Sequence, residues 1–391
     1  MREEQGVPLC GLTTMRVGGP AERMVTVETT DELVDAIREV DDADVPLLLL
    51  AGGSNLVVSD EGFAGSVVRI ATSGVTVESA DAADAADSAD SGDVMVRVAA
   101  GEVWDGVVVQ AVEQGWSGIE ALSGIPGCAG ATPIQNVGAY GQEVAQAIAS
   151  VRVWDRREQR VLTFANADCQ FTYRHSLFKA EPRYVVLDVL FRLHMDPLSG
   201  PVAYADLARA LGVATGERVP LRDAREAVLA QRRRRGMVLD PADHDTWSCG
   251  SFFTNPIMSV SSYAALQDRV QTRLGDIGGP DRGRSDRGRP DSAGSDRVDG
   301  RLGSVTVPRF EIPDGGVKTS AAWLIDKAGF GKGYGMPGPA ALSTKHVLAV
   351  TNRGSATTAD VVALAREIRD GVHDAFGVSL VNEPVLVGTS L

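Results

Sequence analysis

Four stretches in the later part of the chain set polar side chains among apolar ones. Residues 171–179 (FTYRHSLFK) place Tyr173, Arg174 and Lys179 beside aromatics, where a guanidinium is costly to bury without an anionic partner. Residues 248–256 (SCGSFFTNP) hold Ser251 between a glycine and two phenylalanines. Residues 318–326 (KTSAAWLID) put Lys318 at the predicted start of a helix, where the dipole disfavours a cation and an anionic ligand would relieve it. Residues 381–387 (VNEPVLV) carry Glu383 inside an apolar run, which raises a carboxyl pKa. Each stretch also has a purely structural explanation: an ion pair, a turn serine, a helix-start lysine, an edge-strand glutamate.

Two glycine-rich turns precede them, residues 50–56 (LAGGSNL) and 125–141 (IPGCAGATPIQNVGAYG). Each follows apolar residues and exposes backbone N–H groups without side-chain hindrance, the local requirement for gripping a pyrophosphate without a lysine or a metal. Asn55, Thr132, Gln135 and Asn136 can add neutral hydrogen bonds; the alternative is two tight turns in a loop-rich domain. Other matches fail on context. Residues 333–338 (GYGMPG) fit GxGxxG but follow a helix and carry Pro337 where a helix should begin. Asp240, Asp243, His244 and Asp245 read as a polar loop, and no metal site is expected.

The elements that must position these residues alternate between the two periodicities. Residues 29–40 (TTDELVDAIREV) predict an amphipathic helix with capping-box spacing at Thr29 and Glu32 and an apolar stripe of Leu33, Ala36, Ile37 and Val40. Strand-like runs follow at 47–51, 56–58 and 66–70, then helix at 104–114 and strands at 151–154, 161–164 and 184–194. Further helices are predicted at 221–235, 320–328 and 358–376, the last two stopped by Gly329 and Gly377. Two polar inserts interrupt the order. Residues 78–93 carry an acid at every third position, between strands of an expected β-hairpin, and roughly 275–302 hold six arginines and six aspartates; both read as disordered loops.

A length of 391 residues allows two or three domains. A net charge of −14 argues against nucleic-acid or membrane-surface binding, because a phosphate surface repels it. Four scattered cysteines without a CxxC pair, and no apolar run of membrane-spanning or leader length, fit a cytoplasmic protein with reduced thiols.

Taken in order, GGSNL, IPGCAGATPIQNVGAYG, YRHSLFK, GSFFTNP and NEPVL resemble the UDP-N-acetylenolpyruvoylglucosamine reductase family over nearly the whole chain except the two inserts. The resemblance implies an α+β protein: a vanillyl-alcohol-oxidase-type (PCMH-type) FAD-binding module over residues 1–225, then a smaller α+β substrate-binding domain over 226–391. It implies non-covalent FAD contacted by Gly52, Gly53, Ser54, Asn55, Gly127, Thr132, Gln135, Asn136 and Gly138. NADPH is implied as electron donor, without a separate nicotinamide site, and UDP-N-acetylglucosamine enolpyruvate as substrate, in peptidoglycan precursor synthesis. Catalytic roles fall on Arg174, Ser251 as proton donor, and Glu383. Substrate contacts fall on Tyr173, Asn255 and Lys318, and on Tyr204 as the mobile tyrosine of a subclass that closes a loop over the substrate. Arg235 stands where family members often carry a lysine, and its planar fork differs from a point-charge ammonium.

These residue types suit that reaction. Hydride delivered to the terminal carbon of an enol ether conjugated to a carboxylate leaves negative charge on the neighbouring carbon and the carboxylate. A fixed cation (Arg174) and a protonated carboxyl (Glu383) lower that cost, and a hydroxyl (Ser251), dried by Phe252 and Phe253, supplies the proton. Cys249 is read as a small buried filler. Two rival readings remain: an oxidase with flavin attached covalently, for which Cys128 is placed in the second glycine turn, and a non-catalytic nucleotide-sugar binder.

Overall fold

The computed structural model describes residues 1–78, 92–275, 305–312 and 315–391. The two predicted insert loops lie largely outside the described residues. The strands expected to flank the first of them pair antiparallel, Val75 opposite Val98 and Val77 opposite Val96.

In chain order the elements are β1 (Arg2–Pro8), β2 (Pro20–Val27), α1 (Thr30–Asp42), β3 (Leu47–Leu50), β4 (Leu56–Val58), β5 (Phe63–Ile70), β6 (Val75–Glu78), β7 (Asp93–Ala99) and α2 (Trp104–Gln114). The chain continues through β8 (Ile148–Asp155), β9 (Arg160–Ala165), β10 (Tyr184–Met195), α3 (Ala205–Leu211) and α4 (Leu221–Arg234). It finishes with α5 (Val260–Gly275), β11 (Phe310–Glu311), β12 (Val317–Lys318), α6 (Ala321–Lys327), α7 (Thr358–Phe376) and β13 (Val385–Val387).

Two large sheets dominate the described N-terminal half. In the first, of order β1-β2-β5-β3, β1 runs antiparallel and the rest parallel. The second is antiparallel, β9-β8-β10-β7-β6. Helix α1 lies between them: Leu33, Val34 and Ile37 pack with Val25 and Val68 of the first sheet and with Trp154, Val185 and Leu187 of the second. Each such side chain, fully buried, contributes about 1.5–3 kcal/mol, so this stripe fixes how the two sheets meet. Its N-terminus departs from the expected box. Thr29 Oγ1 accepts from Glu32 N at 3.2 Å, but the Glu32 carboxylate accepts from Glu28 N at 2.8 Å rather than closing on Thr29.

Helix α2 covers the second sheet with Trp104, Val107, Val108 and Ala111. Helices α3 and α4 pack on each other and on Ala121 through Leu207, Ala208, Ala224 and Val228. Helix α4 runs unbroken across 225/226, with buried residues on both sides of that point. A division there would cut one helix, and the change of core comes after it.

The C-terminal core is built on α5, α6 and α7, with Val361, Ala365, Ile368 and Val372 on one stripe of α7. It also takes in Met15, Val17 and Val57 from the N-terminal half. The chain then returns: β13 pairs in parallel with β4, Val385 opposite Leu56 and Val387 opposite Val58. Among the described residues no helix is long and apolar enough to cross a membrane.

Candidate active site

The two glycine turns touch. A Cβ on Gly52 would lie 2.5 Å from Gly127 Cα, and one on Gly53, at φ +56°, would lie 2.0 Å from Leu12 O. Only glycine allows this approach. Backbone bonds hold both turns: Thr14 N donates to Gly53 O at 3.1 Å, and Trp104 N to Gly127 O at 3.0 Å. Together they wall a cavity of about 430 Å³. Gly52, Gly53, Ser54, Asn55, Gly127, Thr132, Gln135 and Gly138 all line it.

Asn136 does not belong to this wall. It is 1% exposed, its amide nitrogen donates to Glu143 Oε2 and Thr172 O (both 3.0 Å), and its Oδ1 accepts from Ala145 N at 3.2 Å. Both of its N–H groups are engaged, so it anchors the loop and has no donor left for a ligand. Asn55 and Gln135 are half-committed: each amide donates to Glu383 O, at 3.3 and 3.4 Å.

Arg174, Ser251 and Glu383 line the same cavity. Arg174 takes φ +55° in a tight turn where Thr172 and His175 bridge, and Ser176 Oγ ties that turn to Ile134 O at 2.8 Å. Its guanidinium donates to Asn136 O at 3.2 Å and Gly138 O at 2.9 Å, while Nε lies 3.2 Å from Glu383 Oε1. Ser251 and Glu383 meet through backbone pairing. Phe253 bridges to Asn382, Glu383 N donates to Phe252 O at 2.8 Å, and Thr254 N donates to Val381 O at 3.0 Å. Phe252 and Phe253 differ from their expected role: their rings are buried in the C-terminal core, where they anchor the turn carrying Ser251. Burial pushes the Glu383 carboxyl up, against the opposing pull of Arg174 and Lys179.

Tyr173, Asn255 and Lys318 gather next to Arg174. Lys318 Nζ stands 4.5 Å from the centre of the Tyr173 ring, and the Arg174 guanidinium 5.3 Å from it. Burial pushes the Tyr173 hydroxyl up, with Arg174 and Asn255 opposing. Lys318 is not at a helix start. It lies in β12 opposite Ile257, and the N-cap of α6 is Ser320, whose side chain accepts from Trp323 N. Tyr204 and Arg235 are not brought to this cluster. Tyr204 stands 54% exposed against Tyr140, with ring centres 6.0 Å apart, and Arg235 lies 3.9 Å from Asp206 on α3.

The remaining candidates have structural uses. The Cys249 thiol donates to Leu56 O at 3.5 Å, and burial pushes its pKa up to about 12. Burial also raises Cys128, the opposite of what a nucleophilic attachment point needs. Asp245 accepts from Thr344 N at 2.9 Å and Arg353 Nη1 at 2.7 Å, and Asp243 caps its own turn by accepting from Asp245 N at 3.0 Å. Of the charged residues on the cavity wall, Arg174, Glu383 and Arg232 of α4, the last is not singled out by the sequence. The buried stripe of α4 runs Leu221, Ala224, Val228, and four residues on comes Arg232. That spacing was its signal within an otherwise solvent-facing arginine run.

The fit to FAD is local and specific. Two backbone turns that no Cβ could enter face a cavity that also has apolar wall at Leu50, Ile125 and Val186. Residues 21–164 match the model of an FAD binding domain, and 240–387 match that of UDP-N-acetylenolpyruvoylglucosamine reductase, C-terminal domain. The UDP-N-acetylenolpyruvoylglucosamine reductase of Streptomyces coelicolor is 53% identical over 100% of this chain and 92% of its own. That of Thermobifida fusca is 51% identical over 99% of this chain and 98% of its own. The crystal structure of the Thermus caldophilus enzyme superposes with a TM-score of 0.58 at 23% identity, covering 99% of this chain and 98% of that one, which shows the common fold. The chain belongs to the UDP-N-acetylenolpyruvoylglucosamine reductase family.

Proposed function

We propose that the protein reduces UDP-N-acetylglucosamine enolpyruvate to UDP-N-acetylmuramate in peptidoglycan precursor synthesis, with FAD bound non-covalently and NADPH as electron source. The observation that carries this reading is the convergence of Arg174, Ser251 and Glu383 on one glycine-walled cavity. FAD bound there supplies the hydride chemistry that no side chain can. The protein contributes grip, charge and a proton.

The turns at Gly52–Gly53 and Gly127 offer backbone N–H groups to the diphosphate. Tyr173, Asn255 and Lys318 hold the sugar nucleotide, Lys318 pairing with an anionic oxygen. As the terminal carbon gains hydride, negative charge grows on the substrate carboxylate. Arg174 is held by two carbonyls and does not have to reorganise to meet that charge; loss of such a donor costs about 3–4 kcal/mol. Burial raises the Glu383 carboxyl, and in its protonated form it adds a hydrogen bond to the same oxygens. Ser251 Oγ then delivers its proton to the neighbouring carbon and is re-protonated from water.

The test is an absorbance spectrum of the purified protein, followed anaerobically by NADPH and then by the enolpyruvyl sugar nucleotide. The expected sequence is a flavin spectrum, bleaching, and recovery with one product formed per flavin. A chain that carries no flavin and cannot be reconstituted with it refutes the proposal.

A further inference from the structure

Arg232 enters the cavity wall from the last turn of α4, and its charge is unanswered. Its Nη2 donates to Met237 O at 2.7 Å, while Nε is shielded from solvent with no hydrogen-bond partner among the described residues. The nearest acid is already taken. Asp105 accepts from both ends of the Arg225 fork at 2.7 and 2.8 Å, and from Gly124 N at 2.6 Å. Burial lowers the Arg232 pKa, with Asp105 and Tyr140 only partly opposing. A half-buried guanidinium whose Nε is shut off from solvent, and whose one hydrogen bond goes to a neutral carbonyl, is unfavourable unless an anion joins it. The opening of the second glycine turn lies beside it: a Cβ on Gly124 would stand 3.6 Å from Arg232 Nε.

We propose that Arg232 is the counter-ion for the diphosphate of a nucleotide seated in this cavity. The inference rests on the flavin reading above for one of two sources of that diphosphate, FAD; the other is the UDP sugar. A planar guanidinium at a fixed wall position suits two phosphate oxygens at once. Its neighbours Arg233 and Arg234 are exposed and carry no such role.

The experiment compares wild type with Arg232→Met and Arg232→Lys, each stripped of flavin and titrated with FAD and with riboflavin, which lacks phosphate. The KM for the UDP sugar is measured on flavin-saturated protein. Arg232→Met is expected to weaken FAD at least 30-fold and to leave riboflavin within twofold. Arg232→Lys should fall between, and serves alone if the methionine variant does not fold. The melting midpoint of flavin-free Arg232→Met should not fall below that of flavin-free wild type, because an uncompensated buried charge has gone. A residue needed only to hold Met237 O would lower it. Unchanged FAD affinity with a KM raised tenfold or more assigns the diphosphate to the UDP sugar. Both unchanged overturns the proposal. Wild type binding neither FAD nor riboflavin fails the flavin reading, and the UDP-sugar arm, measured as direct binding of UDP, then decides Arg232.

Discussion

Replacing Ser251 with alanine separates the two half-reactions. The hydroxyl has no hydrogen-bond partner among the described residues, so folding should lose little, within about 0.5 kcal/mol for a change that breaks no contact. The turn keeps its shape because Gly250 at φ +72° and the buried rings of Phe252 and Phe253 remain. Cys249 is no substitute donor, because its thiol is directed away to Leu56 O. What is lost is a positioned general acid, worth roughly 10²–10⁴-fold, or about 3–5 kcal/mol in the barrier. Anaerobic stopped-flow absorbance reads the outcome. Flavin reduction by NADPH should match wild type, and reoxidation by the enolpyruvyl sugar should slow by that factor. Reoxidation within threefold of wild type would place the proton donor elsewhere.

Three other changes probe separate parts of the site. Gly52→Ala puts a carbon 2.5 Å from Gly127 Cα, against an ordinary carbon contact of about 3.5–4.0 Å. The turns must part by roughly 1 Å at a cost of about 1–3 kcal/mol, seen as a lower urea midpoint and flavin lost on gel filtration; a variant with wild-type midpoint and flavin content contradicts the packing. Glu383 has its carboxyl raised above the ordinary 4.5, so the folded state keeps a proton that the unfolded chain has released. Stability therefore falls as pH rises from about 4.5 through the folded pKa, and Glu383→Gln should flatten that limb of a melting-temperature profile; an unchanged slope would show the carboxyl ionised in the fold. Lys318→Met should raise the KM for the sugar nucleotide by at least tenfold while NADPH-driven flavin reduction stays unchanged, and equal effects on both would remove Lys318 from substrate binding.

Local pattern was enough for much of this. The stripe at Leu33, Ala36, Ile37 and Val40 became the buried face of α1, and Gly377 became the C-cap of α7, because periodicity and capping act within a few residues. Lys318 was misplaced because a two-residue strand leaves no alternation to read, and Ser320 began the helix instead. Asn136 looked like a ligand donor because composition cannot reveal that Glu143 and Thr172 have claimed both its N–H groups. The meeting of Ser251 with Glu383 depends on backbone pairing between distant segments, which no local signal encodes. Arg232 was hidden among arginines, with only helical phase to distinguish the inward one.

The pairing of β13 with β4 has a consequence for biosynthesis. The segment that carries Glu383 leaves the ribosome 328 residues after Asn55, the glycine-turn residue whose amide donates to the Glu383 carbonyl. A nascent chain can therefore assemble its sheets and both turns and still lack the carboxyl side of the pocket. Competence arrives only once that segment has emerged and β13 has paired with β4.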